Sequence, residues 1–189
     1  MQDILNQIPN NKIISVLSSY RTGSTSFCKW LSDSQQRINC DEHFHLARKP
    51  WKPVPERAVI KIMPDTEVPD WFLVEDTYKI KLKRKDFVAQ ATSWYIAMVR
   101  NLWHPIDLLN PEYVWTTNPV DIIDKKIDEH YEYMEKMCKI QDSWDFDMTL
   151  YLEDIQDNLP YSRYLQCKNY KEVYELMTIR SNQLNNYNN

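Results

Sequence analysis

Glycine is almost missing from this chain: Gly23 is the one glycine in 189 residues. A backbone that dispenses with glycine everywhere else needs it here, because φ is positive or because something comes too close for a side chain. Cysteine is sparse and scattered. Cys28, Cys40, Cys138 and Cys167 have neither Cys-x-x-Cys spacing nor the density of a disulfide scaffold, so zinc-ribbon and disulfide-rich classes drop out and the thiols read as reduced. No apolar run approaches membrane-spanning length, and the polar stretch from Met1 to Asn11 lacks the apolar core of a signal peptide. The expected compartment is therefore the cytoplasm, with no membrane partner. Positive charge is not in excess either. A net charge of −4 gives no global field for nucleic acid, so a polyanionic ligand has to be held by a local cluster such as Lys79 to Lys85.

What is present suffices for one core: 43% of residues are apolar and 13% aromatic. With no repeats and no composition break, the reading is a single domain over residues 1–189. Ile13 to Leu17 is a near-continuous apolar run, as expected of a strand buried on both faces. Ala58 to Met63 reads as a second buried strand closed by Pro64. Tyr78, Ile80 and Leu82 alternate with Lys79, Lys81 and Lys83 in a third. A helix is predicted from near Asp86 through Leu102, then a loop or lid carrying Pro105, Pro111 and Pro119, with Tyr113 and Trp115 as candidate acceptor covers. A second long helix spans Val120 to Cys138, a fourth strand Met148 to Leu152, and a last helix Tyr170 to Met177 before a frayed Asn-rich tail. Strands alternating with helices imply an α/β layered fold with a mainly parallel sheet of four to five strands.

The first apolar strand runs into Ser18-Ser19-Tyr20-Arg21-Thr22-Gly23-Ser24-Thr25-Ser26, followed by an amphipathic run with Phe27, Trp30 and Leu31. Strand, hydroxyl-rich turn, helix is an anion-binding layout. Backbone N–H groups and the helix dipole point at the turn, beside the cation of Arg21. The plain alternative is a Ser/Thr-capped helix start. A nucleoside triphosphatase loop needs Gly, four residues, then Gly-Lys-Ser/Thr, but here Ser18 replaces the first glycine and Ser24 the lysine. Tyr-Arg-Thr-Gly-Ser-Thr after a strand resembles instead the 5′-phosphosulfate loop of sulfotransferases. The resemblance implies a P-loop-like three-layer fold, 3′-phosphoadenosine 5′-phosphosulfate as donor, adenosine 3′,5′-bisphosphate as product, and a small-molecule or glycan acceptor.

A second stretch, Lys83-Arg84-Lys85-Asp86 through Gln90-Ala91-Thr92-Ser93-Trp94, resembles the family's 3′-phosphate signature, in which a basic residue leaves a strand and a serine follows eight positions later. That implies Lys85 with Ser93, and Arg84 as the competing cation. Thr149-Leu150-Tyr151-Leu152-Glu153-Asp154 is a weaker echo of a late Tyr-x-Glu-Asp strand end. The chain is most similar to small bacterial or viral members, in which case the cytoplasm is a host's if the source is viral. The late Arg-Lys-Gly motif of animal enzymes is missing, and a short chain leaves room for a second subunit to complete the acceptor pocket. Asp41-Glu42-His43-Phe44 stands where several bacterial relatives carry Gly-Glu-x-Phe. This implies Glu42 as general base, with His43 and His45 as runners-up and Asp41 in place of the usual glycine. His43 and His45 alone make no metal site, and none is expected. Two other functions stay open: a P-loop nucleotide or small-molecule kinase, and a non-catalytic nucleotide-binding module.

Overall fold

The computed structural model describes residues 2–44, 53–66, 77–100, 119–159 and 169–187. They gather into two compact units, Met1–Lys85 with Met137–Ser162, and Asp86–Lys136 with Arg163–Asn189. The first unit is built on five strands: β1 (Ile13–Ser18), β2 (Ile38–Asp41), β3 (Ala58–Ile62), β4 (Thr77–Lys83) and β5 (Met148–Tyr151). All pairings are parallel and the order is β2-β3-β1-β4-β5. With its flanking helices this is the three-layer α/β arrangement expected.

β1 sits in the middle because its side chains are apolar on both faces. Val16 lies opposite Lys61 and Ile80, and Ile14 opposite Val59 and Tyr78; Ile14 and Val16 are fully buried. Leu17, on the other face, packs with Phe44, Ala58, Ile60 and Ile62. The sequence reading left β2 out. Its Ile-Asn-Cys-Asp is half polar and Ile38 is 54% exposed, which suits an edge strand paired on one side, to β3, with a register shift between Asn39 and Asp41.

Two further helices, α1 (Gln2–Gln7) and α2 (Ser24–Gln35), precede β2. The connection β1-α2-β2 runs toward one edge of the sheet and the connection into β5 toward the other. Right-handed crossovers therefore place α2 and the helical segment before β5 on opposite faces. That segment, Met137 to Asp142, is the end of a longer helix. Its Gln141 is 1% exposed and donates to the Leu17 and Leu82 carbonyls at 3.0 and 2.8 Å, tying it to β1 and β4. α2 closes with Gln36 in the left-handed region (φ 51°). Buried Arg37 then donates to the Lys12 and Pro9 carbonyls, fastening the strand's amino-terminal edge.

The second unit is helical: α3 (Phe87–Arg100), α4 (Asp124–Asp142) as far as Lys136, and, past a short α5 (Leu152–Ile155) of the first unit, α6 (Tyr170–Tyr187). α3 starts where predicted, and Asp86 caps it, its Oδ1 accepting the Ala89 N–H at 2.8 Å. Phe87 meets Tyr131 edge-on and Trp94 stacks on Tyr133. α6 runs ten residues past the predicted end at Met177. Arg180, which donates to Glu132 at 2.6 Å and is ion-paired with Asp128 at 3.2 Å, anchors the extra turns. Among the described residues no helix is long and apolar enough to cross a membrane. The lid prolines Pro105 and Pro111, with Tyr113, Trp115 and His104, lie outside the described residues.

Candidate functional site

β1 and β4 are neighbours and end level, Ser18 opposite Leu82. The chain leaves β1 for α2 on one face and β4 toward the connection on the other. A crevice at the carboxyl edge between two such strands is where open α/β sheets bind ligands. The two stretches singled out in the sequence, Ser19 to Ser26 and Arg84-Lys85, leave the sheet at this point.

Gly23 has φ 76° and ψ 14°, and a Cβ built on it would lie 2.6 Å from Leu152 Cδ1. Both reasons for keeping a glycine thus apply, and the close neighbour is a side chain of α5. Arg21 also has positive φ, 61°, an uncommon conformation for a residue with a Cβ. Thr22 is fully buried and donates to the Ser19 carbonyl at 3.0 Å; the Tyr20 hydroxyl bonds Asp65, past β3. The loop is pinned at both ends. The capped-helix alternative fails: the N-cap of α2 is Gly23, which offers no side-chain bond, and Ser24, Thr25 and Ser26 lie inside the first turn. The first-turn amides and the positive end of the dipole are left for an acceptor from elsewhere.

Glu42 and His43 lie at the carboxyl end of β2. Asp41 takes a glycine-like φ of 45°, and the Asn39 side chain accepts its N–H at 3.0 Å. Glu42 is ion-paired with Lys61 of β3 at 2.7 Å, and Asp41 with the same ammonium at 3.2 Å. Lys61 Nζ also donates to Thr25 Oγ1 at 2.9 Å. Burial alone would push the Lys61 pKa down, but Asp41 and Glu42 outweigh it and hold it above the ordinary value. Beside it, burial pushes the Cys28 thiol up to about 12. The His43 ring stands edge-on to Phe44, 5.0 Å between centroids. His45 lies outside the described residues.

The sequence reading missed Lys61, although one lysine inside Ala-Val-Ile-Lys-Ile is a signal, since a buried ammonium requires partners.

Arg84 and Lys85 are matched by acids from the end of β5. Glu153 Oε1 lies 3.6 Å from Arg84 Nε, and its other oxygen accepts the Lys85 N–H at 2.9 Å. Lys85 Nζ bonds Asp154, and that bond raises the lysine's pKa. The Tyr-x-Glu-Asp echo thus touches the basic pair directly. Further back on β4, Lys83 pairs with Asp142 at 2.7 Å, and Lys81, 3% exposed, lies over the Phe146 ring. The basic cluster is therefore largely balanced by acids. Ser93 lies half-buried on α3, in the second unit.

No protein-family model matches the chain, and no curated protein or solved structure matches it.

Proposed function

We propose that the chain is a sulfotransferase that moves a sulfuryl group from 3′-phosphoadenosine 5′-phosphosulfate to a hydroxyl or amine. The observation carrying this reading is the adjacency of the two motifs: Arg21 to Ser26 follows β1 and Arg84-Lys85 follows β4, on paired strands that end side by side. The uncapped first turn of α2 and the left-handed Gly23 fit an oxyanion held by backbone amides. Arg21, Thr22 and Gly23 to Ser26 hold the 5′ group, and Arg84 and Lys85 hold the 3′-phosphate. When bound, the donor supplies the sulfuryl group, its S–O bond to the 5′-phosphate breaking as the acceptor oxygen bonds sulfur. Glu42 takes the acceptor's proton through the carboxylate oxygen that Lys61 leaves free. Arg21 and the α2 amides neutralise the charge that builds on the departing phosphate.

A non-catalytic nucleotide-binding module is the second reading, favoured by the ion pairs that already engage Glu42 and Lys85. A P-loop kinase is less well supported. The lysine beside the loop helix, Lys61, donates to Thr25 and is ion-paired with Glu42 and Asp41. Calorimetric titration with adenosine 3′,5′-bisphosphate and with ATP plus magnesium, followed by turnover of the phosphosulfate with candidate acceptors, separates the three. Arg21→Ala should weaken the bisphosphate tenfold or more, from a charge-assisted contact worth about 1.5–3 kcal/mol. Unchanged binding in a folded Arg21→Ala protein removes the loop from the site.

A further inference from the structure

Helical threonines usually donate their hydroxyl hydrogen to the carbonyl one turn earlier. Thr92 and Thr178 do so here, to Val88 and Tyr174 at 2.8 and 2.9 Å. Thr25 does not. Among the described residues its one hydrogen bond comes from Lys61 Nζ, at 2.9 Å. An ammonium only donates, so this bond consumes a lone pair of Oγ1 and turns the single hydroxyl hydrogen away from Lys61. Among the described residues that hydrogen finds no acceptor. Lys61 is held from swinging aside by its ion pairs with Glu42 at 2.7 Å and Asp41 at 3.2 Å, and its side chain is 4% exposed. Thr25 is the second residue of α2, in the first turn that has no side-chain cap.

We propose that Lys61 is a positioning residue: it fixes the Thr25 hydroxyl as a donor to a tetrahedral oxyanion, sulfate or phosphate, at the start of α2. This rests on reading the Arg21 to Ser26 loop as an oxyanion site. The same ammonium holds Glu42, so one buried cation sets both the polarity of an anion contact and the place of the proposed base. The two stretches that meet there are 16 residues apart in sequence, Ser26 to Glu42.

The test is a double-mutant cycle read by calorimetry with two probes, inorganic sulfate and adenosine 3′,5′-bisphosphate. Thr25→Val should weaken both about tenfold, which is about 1.4 kcal/mol, Thr25→Ser should restore them, and melting should be unchanged between the two. Lys61→Met should weaken both to a similar degree, and the Thr25→Val/Lys61→Met double variant no further than the worse single. If Lys61→Met does not fold, the cycle is run in an Asp41→Asn/Glu42→Gln background, where no carboxylate loses its cation. Wild-type binding by Thr25→Val, or losses that multiply in the double variant, overturns the proposal, as does a wild-type protein that binds neither probe. If sulfate binds with the coupling and the bisphosphate does not bind, the proposal stands and the sulfotransferase reading falls.

Discussion

Replacing Gly23 by alanine adds one carbon, and the geometry says what it meets. At φ 76° an L-residue pays about 1–2 kcal/mol for the left-handed region. The new Cβ would lie 2.6 Å from Leu152 Cδ1, a side chain 2% exposed, so Leu152 must be pushed off its seat. Forcing an extra carbon into a packed site costs about 1–3 kcal/mol. The sum, about 2–5 kcal/mol, is a large share of the roughly 5–15 kcal/mol that holds a domain together, and lowers Tm by about 4–20 °C for a chain of this size. Urea unfolding followed by tryptophan fluorescence measures it. Leu152→Ala separates the two costs. Alone it should destabilise by about 2–5 kcal/mol through its cavity. Combined with Gly23→Ala it should cost less than the two together by about 1–3 kcal/mol, because the clash is gone and only the backbone strain is left. A Gly23→Ala protein with the wild-type midpoint, or a strictly additive pair, would refute this account. Gly23→Val should be worse than alanine, since a β-branched residue tolerates positive φ least.

Arg84→Ala and Lys85→Ala should each weaken adenosine 3′,5′-bisphosphate far more than adenosine 5′-monophosphate; equal losses for both ligands would reject the 3′-phosphate assignment, and the larger effect names the cation. Glu42→Gln should keep bisphosphate affinity within a few-fold while cutting turnover by about 10²–10⁴; normal turnover with an inactive His43→Ala or His45→Ala would give the proton to a histidine. Cys28 titrates near 12 in the folded chain against 9 unfolded, so its contribution to stability is complete below pH 9 and is lost as pH rises toward 12. Urea midpoints should therefore fall from pH 9 upward, and Cys28→Ala should flatten that slope; an unchanged slope would assign it to other groups.

Local signals located β1, β3, β4 and the start of α3, because uninterrupted apolar runs, a lysine alternation and apolar residues at three- and four-residue intervals are each written within a short stretch. Gly23 was legible through its solitude. β2 was not, because an edge strand with one paired side carries no clean alternation. The extra turns of α6 depend on Arg180 reaching Asp128 and Glu132, some fifty residues away, and no local pattern shows that. The site divides in the same way. The loop and the basic pair were visible as motifs, whereas the partners of Lys61, Arg84 and Lys85 are tertiary: carboxylates from β2 and from the end of β5 brought to them by strand order. An acidic Asp41-Glu42 in a sequence looks like a solvated turn until the strand beside it is known to present a buried ammonium.

The strand order also decides when the loop can exist at all. β1 is bonded to β3 and β4 and not to β2, the strand that follows it in the chain. Its second neighbour is finished only at Lys83, 65 residues after Ser18. At about 5–20 residues per second on the ribosome, that is a wait of about 3–13 s during which β1 has at most one of its two neighbours, β3, to pair with. Leu152, which fills the space beside Gly23, arrives later still. The loop after β1 thus takes its final shape only once residues far downstream of it have been made, and the side chain that fills the space beside its glycine comes from one of them.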